Sequence, residues 1–286
     1  MSSIGGSGIV TGTTVSPGST NLVQIDHGGE AMYWIVFGVF SLSALAIAVL
    51  TYRKAPALRS HGYCTLAILC TASIAYFSMA TQGGYAFIKV YDETNTARAI
   101  YWARYVDWTI TTPLLLLDIL LMAGLSIGDT LWIVAADLAM ILTGLFGALL
   151  PNRYKWGWFG IGCLFMVFIM WGLLFHGRRA AFLRSKKIGG VYSILSLYLL
   201  ALWWIYPIAW GLAEGSNTIS SKAEAIFYGC LDLMTKGVFG WMIMLMAEPV
   251  VARQHREEEE LNGAHPSLLA APINAPLKGV WAANGG

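Results

Sequence analysis

The amino-acid sequence predicts an all-α membrane protein, built as a bundle of seven transmembrane helices. Three observations lead to this fold class. Of the 286 residues, 57% are hydrophobic and only 12% are charged, whereas soluble domains carry about 25% charged residues. Seven apolar segments are each long enough, at roughly 20 residues, to cross a bilayer. The connections between these segments are short, which indicates a single domain.

The seven segments follow one another through most of the chain, and the longest connection separates the second from the third. They cover approximately residues 31–52, 62–83, 99–123, 130–150, 156–176, 190–213 and 223–247. We therefore expect one helical domain over residues 31–248. Residues 1–30, rich in Gly, Ser and Thr and free of Lys and Arg, are expected to form a flexible extracellular extension. Residues 249–286 are expected to form a flexible cytoplasmic tail, in which the run "REEEE" is a solvated helix end.

The distribution of Lys and Arg predicts the orientation in the membrane, because cytoplasmic loops carry an excess of these residues. The connections after the first and fifth segments are basic, whereas those on the opposite side carry fewer cations. The basic side holds Arg53, Lys54, Arg59, Arg178, Arg179, Arg184, Lys186 and Lys187, and the other side holds Lys89, Arg98, Arg153, Lys155 and Lys222. The N-terminus is therefore predicted outside and the C-terminus in the cytoplasm.

Two of the apolar segments contain charged residues near their middle. The seventh carries Asp232 and Lys236, one helical turn apart, and the third carries Arg104, Asp107 and Asp118. A charged side chain at this depth costs roughly 2.5–3.5 kcal/mol on insertion scales, so such residues usually serve a function. They decide among a ligand receptor, a transporter and a photoreceptor, which share the seven-segment outline.

The polar residues of the third segment lie on one face of a helix. At 100° per residue, Thr111 is about 40° from Asp107 and Asp118 about 20° from it, with the two carboxyls about 16 Å apart along the axis. Arg104 lies one turn nearer the outside. Pairing within the bundle would account for Arg104 beside Asp107 or Asp232. It does not account for Asp118, which lies among leucines without a cation nearby in the sequence, and whose burial would favour its neutral form. This layout predicts a proton path.

Lys236 is about eleven residues from the end of its segment, too far for its amine to reach the interface. Two possibilities remain, namely an ion pair or covalent use as a Schiff base. The sixth segment carries an aromatic stripe, Trp203, Tyr206 and Trp210, beside Pro207, which is expected to bend the helix. A flat, long, apolar ligand on Lys236 would fit between such rings.

Three stretches, "RYVDWTITTPLLLLD", "LWWIYPIAW" and "LDLMTKGVFG", together resemble the microbial (type 1) rhodopsins, and among them the fungal bacteriorhodopsin-like proton pumps. The resemblance extends over residues 31–248. It implies all-trans-retinal bound to Lys236 as a protonated Schiff base, with Asp107 and Asp232 as counterions. It also implies a light-driven outward proton pump, a membrane transporter rather than an enzyme.

The resemblance further implies a role for each polar residue. Asp107 would accept the proton, Thr111 would hydrogen-bond Asp107, and Asp118 would return a proton from the cytoplasmic side. Arg104 would move between the counterions and an outward release group. The matching acids of that release group are Glu214 and Glu224, while Tyr76 and Tyr206 would share hydrogen bonds with Asp232, and Thr65 would bond Asp118.

The walls of the retinal pocket are implied in the same way. They are Tyr76, Trp108, Thr112, Met140, Gly144, Trp158, Phe159, Met166, Trp203, Tyr206 and Trp210. Asp137 matches an acid that pairs with Thr112 between the third and fourth helices. The chain departs from the bacteriorhodopsin pattern at Phe159, where a tryptophan is usual, and at Gly162, where a serine is usual. Both departures change polarity and packing around the chromophore.

The same residues favour a pump over other members of the family. An acid at position 107 argues against a chloride pump, and the Asn-Asp-Gln set of sodium pumps is missing. A slow-cycling photosensory rhodopsin that signals through a partner remains the alternative. A light-gated channel is disfavoured because the second segment, "CTLAILCTASIAYFSMA", is largely apolar.

The expected partners are retinal, the lipid bilayer and transported protons. The plasma membrane is the expected location. The net charge of +2 gives no basic patch for nucleic acid, and a homo-oligomer is left open. No metal site is expected, since Cys64, Cys70, Cys163 and Cys230 all lie within apolar segments, where they are predicted to be small core residues.

Overall fold

The structure, a computed structural model, describes residues 21–90 and 96–264. Within these residues seven helices are long and apolar enough to cross a membrane, so the predicted seven-helix bundle is confirmed. They are α1 (His27–Tyr52), α2 (Ser60–Ala80), α3 (Trp102–Ala123), α4 (Ile127–Leu149), α5 (Lys155–Arg184), α6 (Lys186–Gly215) and α7 (Ser221–Gln254).

The helix ends differ most from the prediction between α5 and α6. The predicted basic loop after residue 176 is helical, and only Ser185 separates Arg184 from Lys186. Apolarity marks the part of a helix inside the bilayer, whereas its hydrogen bonds continue past the interface, where Arg and Lys reach water. The prediction therefore ended α5 too early, at residue 176, and began α6 too late, at residue 190.

Three short strands, absent from the prediction, form a sheet next to the helices. They are β1 (Asn21–Val23), β2 (Ala86–Lys89) and β3 (Thr96–Ile100), in the order β1-β3-β2. β3 pairs in parallel with β1 and antiparallel with β2. Residues 21–30, predicted as part of a flexible extension, therefore form β1 and the start of α1. Residues 1–20 of that extension lie outside the described residues.

Towards the C-terminus the helix of α7 extends beyond Gln254 to Ala264. The predicted domain boundary at residue 248 therefore falls inside a helix. The side chains of Arg256, Glu257 and Glu260 are exposed there, as predicted for these residues of the "REEEE" run, although the helix continues beyond the run. Residues 265–286 of the predicted tail lie outside the described residues.

Polar side chains cap the starts of four transmembrane helices. The carboxylate of Asp26 accepts the Gly29 N–H at 2.8 Å, and the hydroxyls of Ser126, Ser185 and Ser220 accept N–H groups three residues ahead. Each cap satisfies one backbone donor that has no partner inside the helix. At the C-terminal end of α3, Gly124 adopts a φ of 68°, a left-handed conformation that glycine adopts without strain.

The third helix is the centre of the bundle. Of the 18-residue apolar stretch of α3, 61% is buried inside the molecule, against 28% for the corresponding stretches of α1 and α5. The polar residues that the sequence places on α3 therefore lie at the middle of the protein and not on its lipid-facing surface.

The prediction that all four cysteines are core residues was wrong. Their thiols are free, but Cys70 and Cys230 are exposed on the outside of the helices, and Cys64 and Cys163 are partly exposed. In a membrane a small apolar residue is as compatible with lipid as with the core, so apolarity alone does not predict which way such a residue faces.

Candidate functional site

Lys236 lies at the centre of the bundle, on the π-helical turn Leu233–Val238 of α7. Only 2% of the residue is exposed. Its Nζ is 2.6 Å from Asp232 Oδ1 and 3.2 Å from Asp107 Oδ2. Extra-wide turns of this kind often occur at functional sites. The structure thus brings together the amine and the two acids that the sequence singled out.

Besides the amine of Lys236, three side chains donate hydrogen bonds to the carboxylate of Asp232. Tyr76 donates to Oδ2 at 2.8 Å, Tyr206 donates to Oδ1 at 2.6 Å, and Trp108 Nε1 donates to Oδ1 at 3.3 Å. The predicted sharing of hydrogen bonds among Tyr76, Tyr206 and Asp232 is confirmed. These donors stabilise the anionic form of the carboxylate and hold it in one orientation.

The carboxylate of Asp107 has a different environment. Both of its oxygens are buried, and neither has a hydrogen-bond partner among the described residues, although Lys236 Nζ is nearby. The Thr111 hydroxyl was expected to bond this side chain, and it donates instead to the backbone carbonyl of Asp107 at 2.9 Å. The carbonyl four residues back is within reach of any helical threonine, which explains the difference. Asp107 therefore has free acceptor capacity beside the amine.

An apolar cavity extends from Lys236 between α3, α4, α5 and α6. Aromatic rings form much of its surface, and Phe159 stacks on Trp210 with ring centroids 5.0 Å apart. Predicted wall residues that line it are Trp108, Thr112, Met140, Gly144, Phe159, Met166, Trp203, Tyr206 and Trp210. Gly162 also lines it, and a Cβ there would meet the Thr143 hydroxyl at 3.1 Å.

Two predicted wall residues do not line this cavity. Trp158 packs against Phe146 of α4, with ring centroids 5.4 Å apart. It is one position before Phe159, and one residue turns a helix by about 100°, so the two rings point in different directions. Tyr76 lies behind Asp232, where its hydroxyl reaches the carboxylate and not the cavity.

One wall residue also holds a second buried acid. The Thr112 hydroxyl donates to Asp137 Oδ2 at 2.8 Å, as predicted, and no other hydrogen bond to this carboxyl occurs within the described residues. Asp137 is fully buried.

We expect Thr112→Val to destabilise the protein, because it leaves the Asp137 carboxyl without a partner. Lost hydrogen bonds inside membranes cost about 0.6–1.7 kcal/mol, so we expect a loss of about 1 kcal/mol in unfolding free energy. Thr143→Val is the matched control, since this hydroxyl donates only to carbonyls of its own helix. Titration with sodium dodecyl sulfate followed by circular dichroism measures both. Equal losses of unfolding free energy in the two variants would show that the Thr112–Asp137 hydrogen bond does not stabilise the protein more than a bond within one helix.

Towards the sheet, Arg104 lies in a buried cluster of acids and tyrosines. Its Nη1 donates to Glu224 at 2.9 Å and is 3.6 Å from Glu214. Its guanidinium also lies 4.1 Å from the centre of the Tyr228 ring. Pairing with Asp107 or Asp232, considered from the sequence, is not the arrangement observed. The structure does bring the two acids predicted as a release group to Arg104.

Two basic residues of this cluster were missed by sequence reasoning, which counted them as loop charges. Arg98 of β3 donates to Glu224 Oε2 at 2.6 Å, and Lys155 Nζ donates to the backbone carbonyl of Glu214 at 2.8 Å. Both side chains are buried. Their contacts are with residues more than fifty positions away in the sequence, so local pattern gave no signal for them.

At the other end of α3, Asp118 has two partners. His61 Nδ1 is 2.5 Å from its Oδ1, and the Thr65 hydroxyl donates to its Oδ2 at 3.4 Å. The Thr65 bond was predicted. The sequence shows no cation near Asp118, and the structure adds His61, which is 57 positions away but adjacent in space. The sequence did contain a signal for this contact, because His61 and Thr65 are four residues apart and lie on the same face of α2.

Comparisons with known proteins agree with this geometry. The chain is 39% identical over 233 residues to the opsin-like protein carO of Fusarium fujikuroi, covering 79% of this chain and 76% of that protein. It is similar to the solved structure of a light-driven proton pump, the Coccomyxa subellipsoidea rhodopsin, at 53% identity and a TM-score of 0.77, covering 78% of this chain and 99% of that one.

A second solved structure, a light-driven proton pump from Leptosphaeria maculans, matches at 36% identity and a TM-score of 0.76, with coverage of 79% and 98%. The family model described as bacteriorhodopsin-like protein matches residues 27–249, which is the whole seven-helix region. On the strength of that match and of these relatives, the chain belongs to the family of bacteriorhodopsin-like proteins.

Proposed function

We propose that the protein is a light-driven pump that moves protons outward across a membrane, using all-trans-retinal linked to Lys236 as a protonated Schiff base. The observation that carries the proposal is the environment of Lys236. Its amine lies between two carboxylates and at the end of a long apolar cavity. Relatives of similar structure are described as light-driven proton pumps.

The cavity suits retinal in shape and chemistry. Its lining is almost wholly apolar and aromatic, which matches a flat polyene, and the one buried amine on its wall is Lys236. The carboxylate of Asp107 accepts no hydrogen bond within the described residues and lies 3.2 Å from Nζ, so it supplies a negative charge beside a cation at this nitrogen. Retinal bound there supplies absorption of visible light and a change of shape that alters the field at Lys236 Nζ.

The two carboxylates near Lys236 differ in a way that supports separate roles. Asp232 receives hydrogen bonds from two tyrosines and a tryptophan, so its anionic form is held in place. Asp107 receives none at its carboxylate within the described residues and lies 3.2 Å from Nζ. Asp107 is therefore the group that takes the proton from Nζ, while Asp232 remains the permanent counter-charge.

The proton leaves through the cluster around Arg104. Once Asp107 is neutral, the negative charge around Lys236 that attracts the Arg104 guanidinium is smaller, and the attraction of Glu214 and Glu224 dominates. A stronger interaction of Arg104 with these two acids favours loss of a proton shared between them. Tyr105 and Tyr228, which donate to Glu214 at 3.3 and 3.0 Å, stabilise the resulting anion.

Asp118 returns the proton to Lys236 Nζ from the opposite side. It lies eleven residues after Asp107 on α3, about 16 Å along the helix, and its carboxyl is buried. Thr111, four residues after Asp107 on α3, is a polar group between the two carboxyls. The order of the groups along α3 gives the transport its direction.

We expect Asp118→Asn to leave colour and the first proton transfer nearly unchanged and to slow reprotonation of Lys236 by about 10²-fold, because an amide does not donate a proton as an acid does. Flash spectroscopy measures the rate. Azide should partly restore it by carrying protons from solvent. Reprotonation at the wild-type rate would reduce Asp118 to a structural residue and favour the photosensory alternative.

The basic residues support the outward direction. Arg98 and Lys155, which counted as outer charges in the sequence, are buried in ion pairs and hydrogen bonds. Without these two residues, the excess of exposed Lys and Arg on the side where α5 ends becomes larger. The positive-inside rule makes that side cytoplasmic. The Arg104 cluster then faces outward and Asp118 faces the cytoplasm.

The test is to illuminate cells that contain the protein and retinal in unbuffered medium and to record external pH. We expect acidification that a protonophore abolishes. Alkalinisation would reverse the proposed direction. A photocycle without any pH change would reject the pump and favour a photosensory rhodopsin.

A further inference from the structure

The proton donor assigned above, Asp118, is half of a buried pair. The imidazole of His61, at the start of α2, lies 2.5 Å from Asp118 Oδ1 through its Nδ1. His61 is 5% exposed. Its Nε2 has no hydrogen-bond partner within the described residues. The ring thus has one nitrogen on the acid, and it lies at the end of α2 that adjoins the basic connection after α1, the side that the positive-inside rule makes cytoplasmic.

Close helix packing fixes His61 in this position. A Cβ on the next residue, Gly62, would meet the Thr51 hydroxyl at 2.1 Å, and a Cβ on Gly240 of α7 would meet the Thr65 methyl at 2.7 Å. Neither approach is possible with a larger residue. The α1–α2 and α2–α7 contacts therefore set the distance between the imidazole and the carboxyl.

Few other ionisable groups face this pair. Cys64 of α2 and Glu248 of α7 are close enough to Asp118 for their charges to interact with it. Glu248 is bound by Lys54 through one carboxylate oxygen, and the other oxygen, Oε1, is buried without a hydrogen-bond partner among the described residues. Glu248 therefore places a second buried acid near the His61–Asp118 pair.

A structural role alone explains this arrangement poorly. The Thr65 hydroxyl already provides a hydrogen-bond partner for a neutral Asp118 carboxyl. With that bond in place, an apolar residue at position 61 would be enough for a purely structural role. Histidine instead changes its charge between about pH 5 and 8, the range in which a group exchanges protons with cytoplasmic water. Few other side chains combine that property with a contact to the donor.

We propose that His61 is the group through which Asp118 regains its proton from the cytoplasm. The inference rests on the proposed pump function and deepens it, because it makes the cytoplasmic donor a pair of residues. His61 acts through Asp118 and does not touch the cavity around Lys236.

The proton steps balance as follows. When Asp118 gives its proton towards Lys236, its O–H bond breaks and it becomes a carboxylate that accepts the Nδ1–H of a neutral imidazole. A proton from cytoplasmic water then bonds to Nε2 and makes an imidazolium. The Nδ1–H bond breaks as an O–H bond forms on Oδ1, which leaves a neutral carboxyl and a neutral imidazole with its proton on Nε2. When Asp118 next gives up its proton, exchange of the Nε2 proton to Nδ1 through water restores the Nδ1–H that its carboxylate accepts.

The test compares His61→Asn with wild type by flash spectroscopy and a pH-indicator dye in the medium. Asparagine retains an N–H donor for Asp118 but does not titrate. We expect proton uptake from the medium to slow by ten-fold or more, while transfer from Lys236 to Asp107 keeps its rate. Imidazole added to the buffer should restore uptake. Uptake at the wild-type rate in His61→Asn would overturn the proposal, as would slow uptake that added imidazole leaves unchanged.

A matched control is available on the same side of the membrane. His176 Nδ1 is 3.6 Å from Asp129 Oδ1, so this is also a histidine–aspartate pair, but both side chains are exposed and the pair makes no hydrogen bond or ion pair to Asp118 within the described residues. We expect His176→Asn to leave uptake unchanged. Equal slowing in both variants would mean that cytoplasmic histidines act through surface charge, which overturns the specific role of His61.

A second readout requires no photocycle. Nitrogen nuclear magnetic resonance of labelled histidines in the dark, retinal-bound protein should contain a signal that shifts in Asp118→Asn and disappears in His61→Asn. A His61 signal that ignores Asp118→Asn would contradict the pairing. If wild type shows the coupled signal but no light-driven proton uptake, the proposed pump function is wrong, whereas the His61–Asp118 contact is confirmed.

Discussion

Lys236→Ala is expected to abolish visible absorption completely. Only Lys236 presents an amine to the apolar cavity among its lining residues, and an imine needs that amine. The helices should still form, because the two buried acids left without this cation can take up protons and become neutral. Visible spectra after addition of retinal and circular dichroism of the same samples provide the measurement.

Lys155→Ala is the matched control for the loss of colour. Lys155 is also a buried lysine, but its amine donates to the backbone carbonyl of Glu214 and does not reach the cavity around Lys236. We expect this variant to keep its visible band. A full band in Lys236→Ala would show that the attachment site is elsewhere, and a missing band in both variants would point to a folding defect.

Asp107→Asn is expected to shift the dark band to longer wavelength and to stop outward proton transport. An anion beside Nζ stabilises positive charge at the nitrogen in the dark, and visible excitation moves that charge away from it. Removal of the anion therefore lowers the excitation energy. Acidifying wild type should produce the same red shift as Asp107 takes up a proton. The loss of the acceptor should reduce transport by at least about 10²-fold.

Spectra between neutral and acidic pH, together with external pH under illumination, measure both effects. Asp129→Asn is the control, because that carboxylate is exposed at the start of α4. We expect it to change neither the band nor the transport. An Asp107→Asn protein that still exports protons, or a wild-type band that ignores acid, would remove Asp107 from both roles.

The fold could be predicted because the bilayer imposes it. A span needs roughly 20 apolar residues, and all seven were found, but their ends were not, since the helix of α5 continues through Arg178 to Arg184. The strand β2, Ala86–Lys89, is too short to show a pattern, and its pairing with β3 depends on the loop between α2 and α3. Such structure depends on tertiary contacts that local sequence does not record.

The site could be predicted where its residues share one helix. Arg104, Asp107 and Asp118 lie on α3, and Asp232 and Lys236 lie one turn apart on α7, so helical geometry relates them. His61, Arg98 and Lys155 were missed because each meets its partner from another helix or strand. Trp158 was assigned to the cavity by resemblance, and the rotation between adjacent helical residues gives that place to Phe159.

The central claim is that light moves a proton from Lys236 Nζ to Asp107. Flash-induced infrared spectroscopy tests it directly, because a carboxylate that gains a proton acquires a carboxylic C=O stretch. The account predicts that this band appears with the same time constant as the loss of the Nζ proton, seen as a shift of visible absorption to shorter wavelength, and that it is missing in Asp107→Asn. A C=O band that persists in Asp107→Asn, or wild-type loss of the Nζ proton without any such band, would contradict it.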